Sequence, residues 1–186
     1  MKKTIKIIRP ALMCFAFMTV LCGVLYTAAV TSISQLLFPK QANGSIITVL
    51  LKDGTQKEYG SALIAQEFTK PEYLIGRPSD VSNLSPVSEE QKQLVQERIE
   101  WWKSFNPQNT ADIPMDLVTA SGSGADPHIS PEAAEFQVNR IAQTRGIPQD
   151  EVRNIIQKYT AERFLGFIGE PAVNVLQVNL ALDGLL

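Results

Sequence analysis

Apolar and polar positions divide this chain into two regimes. From Pro10 to Val30, "PALMCFAFMTVLCGVLYTAAV", the residues are apolar almost throughout, and no charged side chain occurs between Arg9 and Lys40. A helix rises about 1.5 Å per residue, so roughly 20 residues cross the ~30 Å hydrocarbon core of a bilayer. The run predicts one membrane-spanning helix, prolonged by Leu36, Leu37 and Phe38. Pro10 is expected in its first turn, where a missing N–H has no partner to lose. A cleaved signal peptide has the same order of parts, ending in "TAA", but its apolar region is shorter than this one. A lipid-modified Cys22 is disfavoured because Leu21 stands where such signals want a small residue.

Beyond Lys40 the pattern is mixed, as in a globular domain. "SIITVLLKDGTQKEYGSALI" reads as a hairpin about Asp53-Gly54, a two-residue turn signal. "YLIGRPSDVSNLSPVS" reads as a Ser/Pro-rich loop. Ser88 followed by Gln91 is a capping box opening a helix with the apolar stripe Leu94, Val95, Ile99, Trp102 and Phe105, ending before Pro107. A strand is expected around Asp116 to Ala120. Ser130 and Pro131 suit the N-cap and first position of a helix that stops at Gly146 and buries Ala134, Val138, Ile141 and Ala142. A second helix follows from about Gln149 to Tyr159, burying Val152, Ile155 and Ile156. "AVNVLQVNLAL" alternates as a buried strand does. The expected fold class is α+β: a single N-terminal transmembrane helix followed by one extracytoplasmic α+β domain.

Charge adds a direction to this picture. Lys2, Lys3, Lys6 and Arg9 supply four of the 17 basic side chains, and all 19 acidic ones come after them. By the positive-inside rule, residues 1–9 form a cytoplasmic basic N-terminus, 10–38 the transmembrane helix and its extension, and 40–186 an extracytoplasmic soluble domain. A net charge of −2 argues against a nucleic-acid partner. Cys14 and Cys22 both fall in the apolar segment, so the outer domain has neither disulfides nor a cysteine-based metal site. Within the helix, Gly23 and Ala28 are the candidate packing positions, since small residues let helices approach closely.

Candidate chemistry concentrates in "DLVTASGSGADPHISPEAA", residues 116–134, which holds the only histidine, His128. A hydrolase would need Ser121 or Ser123 within reach of His128, but the stretch has no G-x-S-x-G elbow. A phosphate loop would need a third glycine and a Lys-Ser/Thr pair, and a metal site would start from only Asp126 and His128. The alternative is that Asp126 and His128 brace the turn leading to Ser130 while Ser121, Gly122, Ser123, Gly124, Asp126 and His128 form a loop that docks on a partner. Arg77 in "GRPS" suits an anion or a loop-fixing ion pair. Trp101 and Trp102 suit either a carbohydrate or partner patch or, at helical spacing from Val95 and Phe105, the core.

One ordered set of stretches is specific: "RPAL", "QANGS", "GSALIAQEF", "GRPS", "DLVTASGSGADPHISPEAA" and "GEPAVNVLQVNLALD". In this order they resemble the C subunit of the bacterial high-affinity potassium-transporting P-type ATPase, the Kdp system, over nearly the whole chain. The resemblance implies a non-catalytic accessory subunit of an ATP-driven potassium importer, aiding assembly. It further implies a catalytic chaperone that raises the ATP affinity of the ATP-hydrolysing subunit. The implied partners are that subunit, an ion-filter subunit and, as a further candidate, a small membrane peptide subunit. Potassium and ATP are handled by the complex, with no cofactor assigned to this chain. An anchored extracytoplasmic hydrolase using Ser121 or Ser123 with His128, and a lone substrate-binding module, are the competing classes.

Overall fold

The computed structural model describes residues 2–79 and 83–186, with the backbone alone for residues 2–6. The side chains of Lys2, Lys3 and Lys6, which carry most of the charge argument, and residues 80–82 of the Ser/Pro loop lie outside the described residues. The chain separates into two compact units, Met1–Ile46 and Ile47–Leu186.

The first unit is helical. α1 spans Lys2–Met18, a π-helical stretch spans Thr19–Tyr26, α2 spans Thr27–Leu37, and α3 is the short Pro39–Ala42. Pro10 is therefore inside a helix and not in its first turn. The preceding Lys, Ile and Arg residues are adequate helix formers, so the helix runs through the proline, whose ring removes one backbone donor in mid-helix. Ile7–Leu37 is long and apolar enough to cross a membrane, and none of its residues is buried in the isolated chain. At 31 residues it reaches about 46 Å, enough for a ~30 Å core with tilt. Just past the π-helical stretch the Thr27 hydroxyl donates back to the Cys22 carbonyl at 3.1 Å. Phe38 leaves the helical region, and Pro39 follows it as the first residue of α3.

The second unit is α+β. β1 (Ile46–Leu50) and β2 (Gln56–Ser61) form a two-stranded sheet. Their connection is one residue longer than the two-residue turn expected. The Leu51 N–H donates to the Thr55 carbonyl and the Gly54 N–H to the Leu51 carbonyl, leaving Lys52, Asp53 and Gly54 as the loop. Gly54 takes φ +82°, the left-handed position such a loop reserves for glycine. Hydrogen bonds from the Thr55 hydroxyl and N–H hold the Asp53 carboxyl below its usual range. Along β1 only Ile47 and Val49 face inward, against Leu176 and Leu180.

α4 spans Glu89–Phe105, and the Ser88 hydroxyl caps it by accepting the Gln91 N–H. The Ser88 N–H is taken by the Ser85 carbonyl. The expected strand at Asp116 to Ala120 is instead a 3₁₀ turn, Met115–Leu117. Leu117, Val118 and Thr119 donate back to Pro114 and Met115, and the Thr119 hydroxyl also bonds the Met115 carbonyl. Local hydrogen bonding outweighed β propensity in this segment. The strand lies further on, as β3 (His128–Ile129).

α5 spans Pro131–Arg145, capped by the Ser130 hydroxyl and closed by left-handed Gly146. α6 spans Gln149–Lys158, followed by β4 (Thr160–Ala161) and β5 (Ala172–Asn174). β5 is the centre of a three-stranded antiparallel sheet, pairing His128 with Asn174 and Thr160 with Val173. The long strand expected from "AVNVLQVNLAL" ends at Asn174. Its side chain accepts the Gln177 N–H and starts α7, Val175–Leu182. The apolar residues there satisfy either period, and the cap selects the helix.

The main core joins Leu74, Trp102, Ile141, Val152, Val173 and Val178. Trp102 is fully buried, whereas its neighbour Trp101 is 43 % exposed and stacks on Phe105 at 4.5 Å.

Residues 71–75 belong to no strand or helix, yet their five carbonyls are all occupied by side chains. Arg140 takes those of Pro71 and Tyr73, and Arg145 takes that of Glu72. Asn179 takes that of Leu74 and Gln137 that of Ile75. The same two amides also accept the Leu74 and Ile75 N–H groups, at 2.7 and 2.9 Å. Buried backbone must find partners somewhere, and here α5 and α7 supply them to the stretch that leads into Gly76-Arg77.

Candidate functional site

The loop from Asp116 to Ala134 is pinned at several points and projects between them. The Ala65 N–H donates to the Ala125 carbonyl at 2.9 Å and the Val175 N–H to the Pro127 carbonyl at 3.0 Å. Gly124 supplies a left-handed φ of +66°, and its N–H closes a turn on the Ser121 carbonyl. Gly122 and Ser123 are exposed at the tip.

His128 sits at the base, on β3. Its N–H donates to Asp126 Oδ1 at 3.0 Å, and its Nδ1 lies 3.4 Å from the same oxygen. On the other side, Nε2 faces Asn174 Nδ2 at 3.4 Å. The tautomer that suits both neighbours carries its proton on Nδ1, donated to Asp126, with Nε2 accepting from Asn174. Asn174 has two further tasks: Nδ2 donates to the Ala62 carbonyl, and Oδ1 caps α7.

The serines are elsewhere. The Ser121 and Ser123 hydroxyls face each other at 3.4 Å, and Ser123 Oγ accepts the Ala125 N–H. A general base must reach the proton it removes, and the imidazole nitrogens are instead engaged by Asp126 and Asn174. Among the described residues, no group of three or more His, Cys, Asp or Glu side chains is placed to hold a metal ion.

Asp116 was not singled out by sequence reasoning, yet it organises the site. Its Oδ2 accepts the Ser130 N–H at 2.7 Å, and its Oδ1 pairs with Arg77 at 3.3 Å. Arg77 also reaches the Thr119 hydroxyl and the Ala120 carbonyl, at 3.4 and 3.5 Å. This is the loop-fixing ion pair that "GRPS" allowed. No local spacing announces it, because the partners are 39 residues apart. Above it lies a cleft of about 290 Å³ lined by Phe68, Arg77, Arg98, Trp101, Gly124 and Ala125. Arg98 is tied to the Val118 carbonyl at 3.0 Å. The arrangement is a braced loop beside an aromatic, arginine-bordered cleft, suited to recognition.

Alanine at His128, Ser121 or Ser123 is expected to be mild. His128→Ala removes bracing contacts worth about 1 kcal/mol, against the 10²- to 10⁴-fold in rate that a general base contributes. Ser130→Ala should cost about 1 kcal/mol through the lost cap. If the chain serves the ATPase that its motifs resemble, ATP hydrolysis per assembled complex checks all four; a hundredfold fall for His128→Ala with assembly intact would reinstate a catalytic histidine.

Gly23 lies in the π-helical stretch, and a Cβ built there would meet only Thr19 Cγ2, at 4.0 Å. Its own helix therefore tolerates a side chain. Ala28 is in α2 and exposed.

Residues 8–184 match the family model described as "KdpC: K+-transporting ATPase, c chain". The chain is 55 % identical over 188 residues to the potassium-transporting ATPase KdpC subunit of Listeria monocytogenes serovar 1/2a, covering 100 % of this chain and 99 % of that protein. It is 48 % identical over 200 residues to the KdpC subunit of Clostridium perfringens, covering 97 % and 98 %. With that of Clostridium botulinum it shares 46 % over 205 residues, covering both completely.

Proposed function

The chain belongs to the KdpC family, the c chain of the K+-transporting ATPase, and from that premise we propose how it serves the pump. It is an accessory subunit of a potassium-transporting ATPase rather than the catalytic one. The observation that carries this is the match over residues 8–184, which takes in both the apolar helix and the domain.

The finer reading is that the chain aids assembly and raises the ATP affinity of the ATP-hydrolysing subunit. Its partners are that subunit, an ion-filter subunit and a small membrane peptide subunit. The basic residues before Pro10 put the N-terminus in the cytoplasm and the domain outside. ATP then lies across the membrane from the domain, so the effect on nucleotide binding passes through assembly or through the membrane helix. Gly23 and Ala28 are the helix-packing contacts, and residues Ser121 to His128 the docking loop. The support for the loop is its geometry: a projecting Ser121–Gly124 turn on a base fixed by Ala65, Asn174 and Val175.

The test is purification at native expression level. The chain should co-purify with an ion-filter protein and a P-type pump, and complexes lacking it should show a raised KM for ATP. Gly23→Leu and Ala28→Leu should insert normally but pull down less of both partners, because leucine keeps the helix apolar and blocks close approach. A monodisperse single chain with hydrolase activity of its own would sink the subunit reading. For orientation, protease added to intact protoplasts should digest the domain from Lys40 onward; protection until the membrane is broken would reverse the topology.

A further inference from the structure

We propose that the loop between β4 and β5 dips into the interfacial layer of the bilayer to which the chain's own helix ties it. The tip carries Phe164, Leu165, Phe167 and Ile168, which are 68, 69, 72 and 49 % exposed. No charged residue stands between Arg163 and Glu170, and these two close the base in an ion pair at 2.6 Å. A soluble domain gains nothing from four bulky apolar side chains gathered on one exposed turn.

The backbone of the tip suits an apolar medium. The Phe164 N–H donates to the Ile168 carbonyl and the Ile168 N–H returns to Phe164, at 2.8 and 3.0 Å. Phe167 and Gly166 donate to the Phe164 and Arg163 carbonyls. Four of the five N–H groups from Phe164 to Ile168 are thus satisfied within the segment, which eases entry into the interfacial layer. Leu165 holds a left-handed φ of +55°, a conformation for which glycine or asparagine is the ordinary choice. The turn thus keeps an apolar side chain at its apex despite the strain.

Area and tether decide the occupant. Four such side chains expose on the order of 500 Å², below the roughly 800 Å² that each partner of a standard protein interface gives up. The tip alone is therefore too small to hold a freely diffusing partner or a second copy. A bilayer needs no matching shape, and only residues 38–46 separate the span Ile7–Leu37 from the domain. So short a tether keeps the bilayer at high effective concentration, where a weak apolar contact suffices. The proposal rests on reading that span as a membrane anchor.

The full chain, with Cys14→Ala and Cys22→Ala, is labelled with an environment-sensitive fluorophore at Leu165→Cys and reconstituted in phosphatidylcholine–phosphatidylglycerol vesicles. A companion carries the label at Asp53→Cys on the exposed β1–β2 loop. The expected result is a blue-shifted emission at residue 165, quenched several-fold by lipids brominated in the upper acyl chain, with no such change at residue 53. Adding Phe164→Ser and Phe167→Ser should abolish the quenching. A water-exposed label at residue 165 overturns the proposal. So does shielding that arises only in the assembled pump, which assigns the tip to a protein partner, or only with rising protein density, which assigns it to a second copy. Alkaline extraction of the same vesicles reads the anchor separately; release of the chain overturns the anchor first and the dipping tip with it.

Discussion

Asn179→Leu should lower the stability of the C-terminal domain by about 2–6 kcal/mol, at about 1–3 kcal/mol for each buried backbone group left without a partner. The Asn179 amide receives the Leu74 N–H at 2.7 Å and donates to the Leu74 carbonyl at 2.9 Å, and both residues are almost wholly buried. Leucine keeps the branching and the number of side-chain heavy atoms but is bulkier, so some overpacking adds to the lost hydrogen bonds. A domain stable by some 5–15 kcal/mol tolerates this poorly. The expected consequence reaches further, because Leu74 leads into Gly76-Arg77, and freeing this segment loosens the Arg77–Asp116 pair. Urea unfolding of the full chain in detergent, followed by the fluorescence of Trp101 and Trp102, measures it. A loss under about 1 kcal/mol would mean that Leu74 finds other partners.

Arg140 belongs to the same clamp, and its charge does not make the clamp pH-sensitive near neutrality. Burial pushes its guanidinium down to about 10, against the opposing pull of Glu72. The unfolded chain then binds this proton more tightly than the folded one. The ionised group costs stability at neutral pH, and that cost fades only as pH rises through about 10. Its bonds to Pro71, Tyr73 and Gln137 are the compensation.

Trp102→Ala should cost about 3–5 kcal/mol, the range for emptying a buried aromatic site. Trp102 is 2 % exposed, stands edge-on to Phe136 at 5.7 Å, and donates its indole N–H to the Leu117 carbonyl at 3.0 Å. Trp102→Phe keeps much of the packing and should lose far less. Trp101→Ala should be milder still, since that ring is half in solvent and mainly covers Phe105. Pulse proteolysis across a urea series ranks the three. Equal losses at 101 and 102 would contradict the burial that separates them.

Local signals predicted local structure well. The caps at Ser88 and Ser130, the stop at Gly146 and the buried faces of α5 and α6 follow from hydrogen bonds and periodicities confined to a few residues. The uncharged stretch to Lys40 likewise announced a helix long enough to span a bilayer. Two elements failed for a shared reason. "DLVTA" and "AVNVLQVNLAL" are rich in residues that fit strands, but short-range bonds at Met115 and the cap at Asn174 wound them into helical turns.

The sequence alone determined the long apolar N-terminal helix, the α+β class, the bounds of α4, α5 and α6 and, through an ordered set of motifs, the family. Tertiary structure alone decided what the polar residues do. Gln137 and Asn179 look like ordinary polar positions on helices, and only folding sets them against Leu74 and Ile75, up to 105 residues away. Asp116 gains its meaning from Arg77 and Ser130 at once. Of two adjacent tryptophans, the angle around α4 buries one and exposes the other. The physical reason is the same throughout: helix periods and caps act over three or four residues, whereas the partner of a buried polar group is whatever the packed chain brings within about 3 Å of it.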